Sequence, residues 1–413
     1  EGYYALNGVP SGSHVLSVFY VGHQVFRDTL LVDAGADVRL DIELIRETVQ
    51  MRETVVEATS GRVEDELRQL TSVVRLSIRS LKELPAVGEP DLLRSLHLLP
   101  GVQAASDLSS GLYVRGGGPD QTGILLDQVR LYNPSHAFGF FSTFNPDAIK
   151  DVTFYKGAYP AQYGGNLGAV LDVQNRDGNR RDFTASGGVS LISSRATAEG
   201  PLGNGSWMVA GRRTYIDPVL KAIRGASDEL NSLGYYFYDL QGKTHQVLSH
   251  DDQLTIAAYT GLDELDLRND DLDFELQWGN RTISSKWTHV FDSNLFGNFL
   301  FTGSRFKANT LFRAEDTTLE ETNRLTDLSL KGDLNWLPTQ EHSLELGYLV
   351  KRMSMEYVFG EKAQNWVNID VQGFHNSLYV QDNLSLTQRL RIQPGYQSYG
   401  SYAEHPTQPQ LQP

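Results

Sequence analysis

The sequence predicts a mainly β chain in three successive parts: a short all-β segment, an α+β region, and the N-terminal half of an antiparallel transmembrane β-barrel. Three observations predict this. Beyond about residue 181, apolar and polar residues alternate at period 2 over segments of roughly ten residues. Very short turns there alternate with longer polar stretches, as in barrels with tight turns on one side of a membrane and loops on the other. Between the two β regions, a single stretch has helical spacing.

The alternation is plainest near the end. In Leu328–Trp336, the residues Leu328, Leu330, Gly332, Leu334 and Trp336 share one face, and Ser329, Lys331, Asp333 and Asn335 share the other. Ser343–Lys351 sets Leu344, Leu346, Tyr348 and Val350 against Glu345, Gly347 and Lys351. The apolar face is expected toward lipid and the polar face toward the lumen. Short turns are expected at Leu202–Gly205, Ser249–Asp251, Phe291–Ser293, Pro338–Gln340 and Leu386–Thr387, and long loops at about 215–234, 263–271, 311–323 and 358–371. The count is roughly eleven strands of about 22. An odd number leaves the barrel incomplete, since bacterial single-chain barrels have even counts.

Composition agrees. The chain has 413 residues, 40% of them hydrophobic, with 38 Gly, 19 Tyr and 18 Phe, and a mean hydropathy of −0.34. No apolar run approaches the roughly 18 residues that a membrane helix needs, which leaves a barrel open. A net charge of −15 argues against a nucleic-acid partner, because phosphate binding needs a basic face. Without cysteine there is no disulfide framework and no thiolate metal site. Gln241-Gly242-Lys243-Thr244 has the end of a phosphate loop, but Phe237 stands where its upstream glycine is required. His245 and His250 lack a third ligand at plausible spacing, and neither a zinc-protease nor a nucleophile-elbow motif occurs. His97 lies on the helical stretch and is expected to pack rather than ligate. Neither an enzyme nor a cofactor or metal is expected.

Three strand-like runs open the chain, His14–Tyr20, Phe26–Val32 and Val38–Leu44, separated by Gly-, Pro- and Asp-rich turns. Too few for a sandwich of their own, and with no signal peptide read within the sequence, they make the chain an expected fragment whose missing strands lie upstream of residue 1. Residues 47–61 form a mixed-charge connector. In Glu89–Leu99, the residues Leu92, Leu93, Leu96 and Leu99 share a helical face that stops at Pro100-Gly101.

The run from Asp91 to Gly178 carries a helix ending in Leu-Pro-Gly, an Arg115-Gly116-Gly117 element, a Leu-Leu-Asp turn at Asp127, and a Lys-Gly stretch closing on Tyr163-Gly164-Gly165. In that order these resemble the plug of a TonB-dependent outer-membrane receptor. Residues 1–46 resemble the C-terminal part of a carboxypeptidase-regulatory-like β-sandwich. The resemblance implies a sandwich part at 1–46, a linker at 47–61, a plug at 62–180 and an incomplete barrel at 181–413. It further implies an outer-membrane protein that takes up a large nutrient with energy from a TonB-type inner-membrane partner. Siderophore, cobalamin, oligosaccharide and peptide all suit such a receptor, as does a surface lipoprotein partner. A receptor or adhesin that binds without importing is the alternative.

Residue by residue, the resemblance places the TonB box at Thr54, Val55, Val56, Glu57 and Ala58, with an ordinary interdomain strand as the alternative. Arg115 is expected to be the plug cation that meets an inward barrel carboxylate, or else a solvated arginine in a tight turn. Of Arg212 and Arg213, adjacent on a strand, at most one can face the plug. Three departures stand out. Gln128 follows Asp127 where relatives have glycine, so that turn is expected to be strained or of another type. Asn166 stands where a plug arginine is usual, and His405-Pro406-Thr407 where Glu-Pro-Arg is usual.

Overall fold

The computed structural model describes residues 6, 9–18, 25–33, 38–44, 72–76, 89–104, 111–190, 192–215, 233–268, 272–315, 317–339, 341–361, 364–387 and 390–403. The first two alternating runs pair as an antiparallel hairpin, β1 (Gly12–Val18) with β2 (Phe26–Val32). The expected third strand at Val38–Leu44 is absent. Two of its charged residues, Arg39 and Glu43, reach the barrel rim instead of a sheet. Arg39 Nη1 lies 3.4 Å from Asp251 Oδ1, and Arg181 Nη2 donates to Glu43 Oε2 at 2.6 Å.

The plug region contains β3 (Val73–Leu76), α1 (Leu92–Leu96), β4 (Val102–Gln103), β5 (Tyr113–Val114), β6 (Gly123–Leu126), β7 (Val129–Arg130), β8 (Ser135–His136), β9 (Phe141–Ser142), β10 (Ile149–Tyr155) and β11 (Val170–Asn175). Five of these strands form one sheet in the order β3-β10-β11-β6-β7, with β11 and β6 parallel. Asp91 caps α1 by accepting from the Arg94 N–H at 2.9 Å. The face predicted from spacing is the buried one: Leu92, Leu93 and Leu96 pack with Phe144, Ile149, Val152, Phe154 and Leu171.

The barrel wall runs in sequence order through β12 (Thr184–Val189), β13 (Ser193–Leu202), β14 (Gly205–Thr214), β15 (Leu233–Val247), β16 (Asp252–Arg268), β17 (Leu272–Asp292), β18 (Leu295–Ala314), β19 (Thr317–Trp336), β20 (His342–Glu361) and β21 (Gln364–Ser385). The pieces β22 (Arg391–Ile392) and β23 (Gly395–Ala403) both pair with β21 in one continuous register, so they act as a single eleventh strand. Pro394 interrupts it because proline lacks an N–H, yet its carbonyl still accepts from Asp382 at 3.0 Å. The expected count of eleven holds.

All five short turns are found, and they fall at one end of the wall. Three of the four long loops, 263–271, 311–323 and 358–371, need correction, while residues 216–232 of the first lie outside the described residues. At the other end β16 and β17 run on to Arg268 and from Leu272, β18 and β19 to Ala314 and from Thr317, and β20 and β21 to Glu361 and from Gln364. Polar residues suggested loops there, but ladder pairing continues through them because both faces of an exposed hairpin tolerate polarity. Strands of 20–22 residues at a rise of about 3.3 Å and a tilt of about 40° span roughly 50 Å. That is about twice the apolar band of such barrels, so the outer half stands clear of lipid.

The register across β19 agrees with the alternation. Leu328, Leu330, Leu334 and Trp336 are exposed on the outer surface, while Asp327 and Asp333 are buried toward the plug. Trp287 and Phe299 stack across β17 and β18 with ring centroids 5.2 Å apart, close to the short turns, where an aromatic girdle belongs. Leu330→Arg places charge on the lipid face and is expected to cost about 2–4 kcal/mol. The folded, heat-modifiable fraction of the full-length protein in membranes should fall sharply, with Leu330→Val nearly neutral; an arginine variant that assembles normally would refute this register.

Candidate functional site

Plug and wall meet at a seam where charge is taken out of water. The plug loop from Tyr132 to Ser142 lies against β14–β19. In period-2 strands, odd residues of β15 and β16 face inward, which puts Tyr235, Phe237, Asp239, Tyr259 and Asp263 on the lumen side, all buried. His136 projects from the loop between the two aspartates. Its Nε2 lies 2.9 Å from Asp239 Oδ1, its Nδ1 lies 2.6 Å from Asp263 Oδ2, and its ring stacks on Phe237 at 4.2 Å. Both ring nitrogens face carboxylates, which requires a doubly protonated imidazolium.

Arg212 completes the cluster from β14. It grips Asp239 Oδ2 through Nε at 2.9 Å and Nη2 at 2.6 Å, donates to Glu89 Oε1 at 2.8 Å, and donates to the Ser142 carbonyl at 2.7 Å. Arg213, its neighbour, faces away and is exposed. Hydroxyls add further donors: Tyr259 to Asp239 Oδ1 at 2.6 Å beside His136, Tyr235 to Asp263 Oδ1 at 2.5 Å, and Ser193 to Glu89 Oε2 at 2.7 Å. Burial alone would lower the His136 pKa; the Asp239 and Asp263 carboxylates override it and hold it at about 9.

Below this cluster lies a second. Lys243 of β15, from the motif that mimics a phosphate loop, meets Asp127 at 3.1 Å and Asp177 at 2.9 Å. Asp127 also accepts from the Asn175 backbone at 3.1 Å and its side chain at 2.7 Å. Arg195 of β13 reaches Asp147 at 2.6 Å, and Arg176 of the plug pairs with Glu199 of β13. Two plug cations thus meet inward barrel carboxylates, His136 on Asp239 and Asp263 and Arg176 on Glu199.

Arg115 occupies the other place foreseen for it. With φ values of 49° and 87°, Arg115 and Gly116 form the centre of a type I′ turn closed by Val114 and Gly117, and Arg115 is exposed with Nη1 3.3 Å from Ser72 Oγ. Asp127 and Gln128, at φ 47° and 67°, form the same turn between β6 and β7. The departure from glycine thus leaves the turn type unchanged and strains Gln128. Gly165 also needs its φ of 83°, while Gly164 packs beside Gln397 of β23. Asn166, in place of the usual cation, accepts from Arg130 of the plug at 3.2 Å. Residues 54–58 and 405–407 lie outside the described residues.

Above the seam, a cavity of about 590 Å³ opens between plug and outer wall, lined by Leu112, Asp120, Asn133, Ser135, Trp278 and Phe306 among others. The same loop that bears His136 forms its floor. Trp278 Nε1 donates to the Ser135 carbonyl at 3.3 Å, Asn280 donates to the Tyr132 carbonyl at 2.7 Å, and Tyr132 donates to Asp327 at 2.9 Å. The cavity and the buried charges are therefore two faces of one loop. The sequence reading named Asp127 and Arg212 but not His136, Glu89, Asp239 or Asp263. The available signal was charge at inward positions of β15 and β16 that are otherwise aromatic.

Comparison with known proteins follows the same lines. Residues 68–170 match the family described as TonB-dependent Receptor Plug Domain. No curated protein matches the chain. Among solved structures from Pseudomonas aeruginosa, FpvA bound to heterologous pyoverdines is 14% identical with a TM-score of 0.62, over 81% of this chain and 52% of that one. The siderophore receptor PirA is 17% identical with a TM-score of 0.55, over 80% of this chain and 56% of that one. A mutant of the ferric enterobactin receptor PfeA is 16% identical with a TM-score of 0.61, over 84% and 60%. At such identities the likeness is one of fold, and this chain spans little more than half the length of those it resembles.

Two outcomes are expected. Held above its ordinary 6.5, His136 stabilises the seated plug fully below that pH and ceases to do so as pH rises through about 9. The thermal midpoint of the full-length protein should fall across that window, and His136→Gln should remove that part of the profile. An unchanged profile in the variant would contradict a charged His136. In the plug turn, Gln128→Gly relieves a left-handed residue and should stabilise by about 1 kcal/mol, read from chemical denaturation; a loss of stability would contradict the turn geometry.

Proposed function

We propose that this chain, which carries a TonB-dependent receptor plug domain seated against the wall of an outer-membrane β-barrel, belongs to a receptor that captures a large nutrient at the cell surface and imports it. The observation that supports this reading most is the shared loop. Ligand in the outer cavity touches Asn133, Pro134 and Ser135, and the next residue, His136, is held by the wall aspartates. A ligand that displaces this loop loosens a buried, charged tie between plug and barrel.

Import then needs work at the periplasmic side. Thr54, Val55, Val56, Glu57 and Ala58 serve as the TonB box in this reading, pairing by strand addition with a TonB-type inner-membrane protein. Pull on that segment is transmitted to the plug sheet and opposed by the seam. Residues 1–46, as part of a carboxypeptidase-regulatory-like domain, sit on the same side. Siderophores, the ligands of the solved neighbours, remain one class among cobalamin, oligosaccharide and peptide.

Receptor and importer separate in one experiment on cells carrying the full-length protein. Val56→Pro removes a ladder N–H and fixes φ, so it should abolish uptake of the ligand while leaving surface binding intact. Val56→Ala keeps the backbone and should be milder. Undiminished uptake in the proline variant would move the box elsewhere, and binding without uptake in the wild type would make this a receptor or adhesin that does not import.

A further inference from the structure

The outer surface of the long strands changes character at one height. Toward the short turns it is apolar and exposed, with Ile283, Phe301, Leu328, Leu330 and Val350. Immediately beyond, toward the outer end, stand Arg281 on β17 and Arg305 and Lys307 on β18, all exposed. The sheet register sets these cations against each other. Arg281 lies opposite Thr260 and Arg305, Arg305 lies opposite Arg281 and Thr326, and Lys307 lies opposite Gly279 and Arg324.

Like charges directly opposite in a sheet destabilise it. The nearest carboxylates on the same surface have other partners: Glu356 pairs with Arg324, and Glu264 accepts from Tyr236 and Gln277; further out, Asp273 and Glu275 engage Arg268 and Arg313. Among the described residues, no carboxylate stands opposite Arg281, Arg305 or Lys307 in the ladder. The three cations thus form a patch where hydrocarbon gives way to headgroups, the height at which lipid phosphates lie. Guanidinium groups suit phosphate, which they bind through paired N–H donors.

We propose that Arg281, Arg305 and Lys307 bind the phosphate groups of an anionic lipid in the outer leaflet, with its acyl chains along Ile283, Phe301 and Leu328. The lipid neutralises the opposed cations and fixes the height of the barrel in the membrane. This site is separate from the import reading, because it lies on the outside of the wall and the plug lies within.

The test uses the full-length protein in detergent, titrated with bisphosphorylated lipid A, with its dephosphorylated form, and with inorganic phosphate, followed by native mass spectrometry. The wild type should bind the phosphorylated lipid. The variant carrying Arg281→Gln, Arg305→Gln and Lys307→Gln should bind it about a hundredfold more weakly, and the dephosphorylated lipid should bind as weakly to the wild type. Arg281→Lys with Arg305→Lys keeps the charge and should retain most of the affinity, which separates loss of the site from loss of the fold. Equal binding by the triple variant, equal binding of the dephosphorylated lipid, or displacement by inorganic phosphate would each overturn the proposal.

Discussion

Charge removed from water must be paired where it is buried, and at the plug–wall seam that pairing is complete only while the plug is seated. Each ion so buried costs several kcal/mol of hydration, recovered only through good geometry and satisfied hydrogen bonds. His136 and Glu89 come from the plug, and Arg212, Asp239 and Asp263 from the wall. Either side alone is left with uncompensated charge. The seam therefore specifies position more than it adds stability.

Much of the remaining structure follows from serving that seam. Strands β14, β15 and β16 place charged residues at inward positions among aromatics, so that Phe237 and Tyr259 shield the ion pairs from solvent. Asp91 caps α1 and accepts from the Ser142 N–H at 2.5 Å, fixing the end of the same loop. Among the described residues, β19 and β21 also meet the plug, through hydrogen bonds from Lys331 to Gln162 at 3.1 Å and from Ala161 to Gln381 at 2.8 Å. The loop that carries these buried charges is also the loop under the outer cavity.

The barrel was legible because lipid imposes period 2 on one face, and Leu328 to Trp336 could be assigned inside and outside from spacing alone. The helix face of Leu92, Leu93 and Leu96 was legible for the corresponding reason at period 3.6. Loop ends were not, since beyond the membrane both strand faces meet water and the polar residues at 311–323 no longer distinguish strand from loop. The seam was half legible. Asp127 and the Arg212/Arg213 alternative came from motif and parity, but the partner of a buried charge is chosen by three-dimensional proximity. Nothing in the chain marks His136 as the neighbour of residues 103 and 127 positions away. At Arg115 the motif left two readings open, and the left-handed backbone of the turn agrees with the second of them.

Hydrogen exchange of the full-length protein, wild type against Asp263→Asn, tests the seam as the anchor of the plug most directly. That substitution keeps shape and removes the charge facing His136, and the Ala137 amide lies 3.2 Å from the same carboxylate. Exchange of amides in residues 132–142 should accelerate tenfold or more, equivalent to about 1.4 kcal/mol of lost protection, while those of β10 and β11 keep their protection. Unchanged exchange across 132–142 would show that the buried charges do not hold the plug in place.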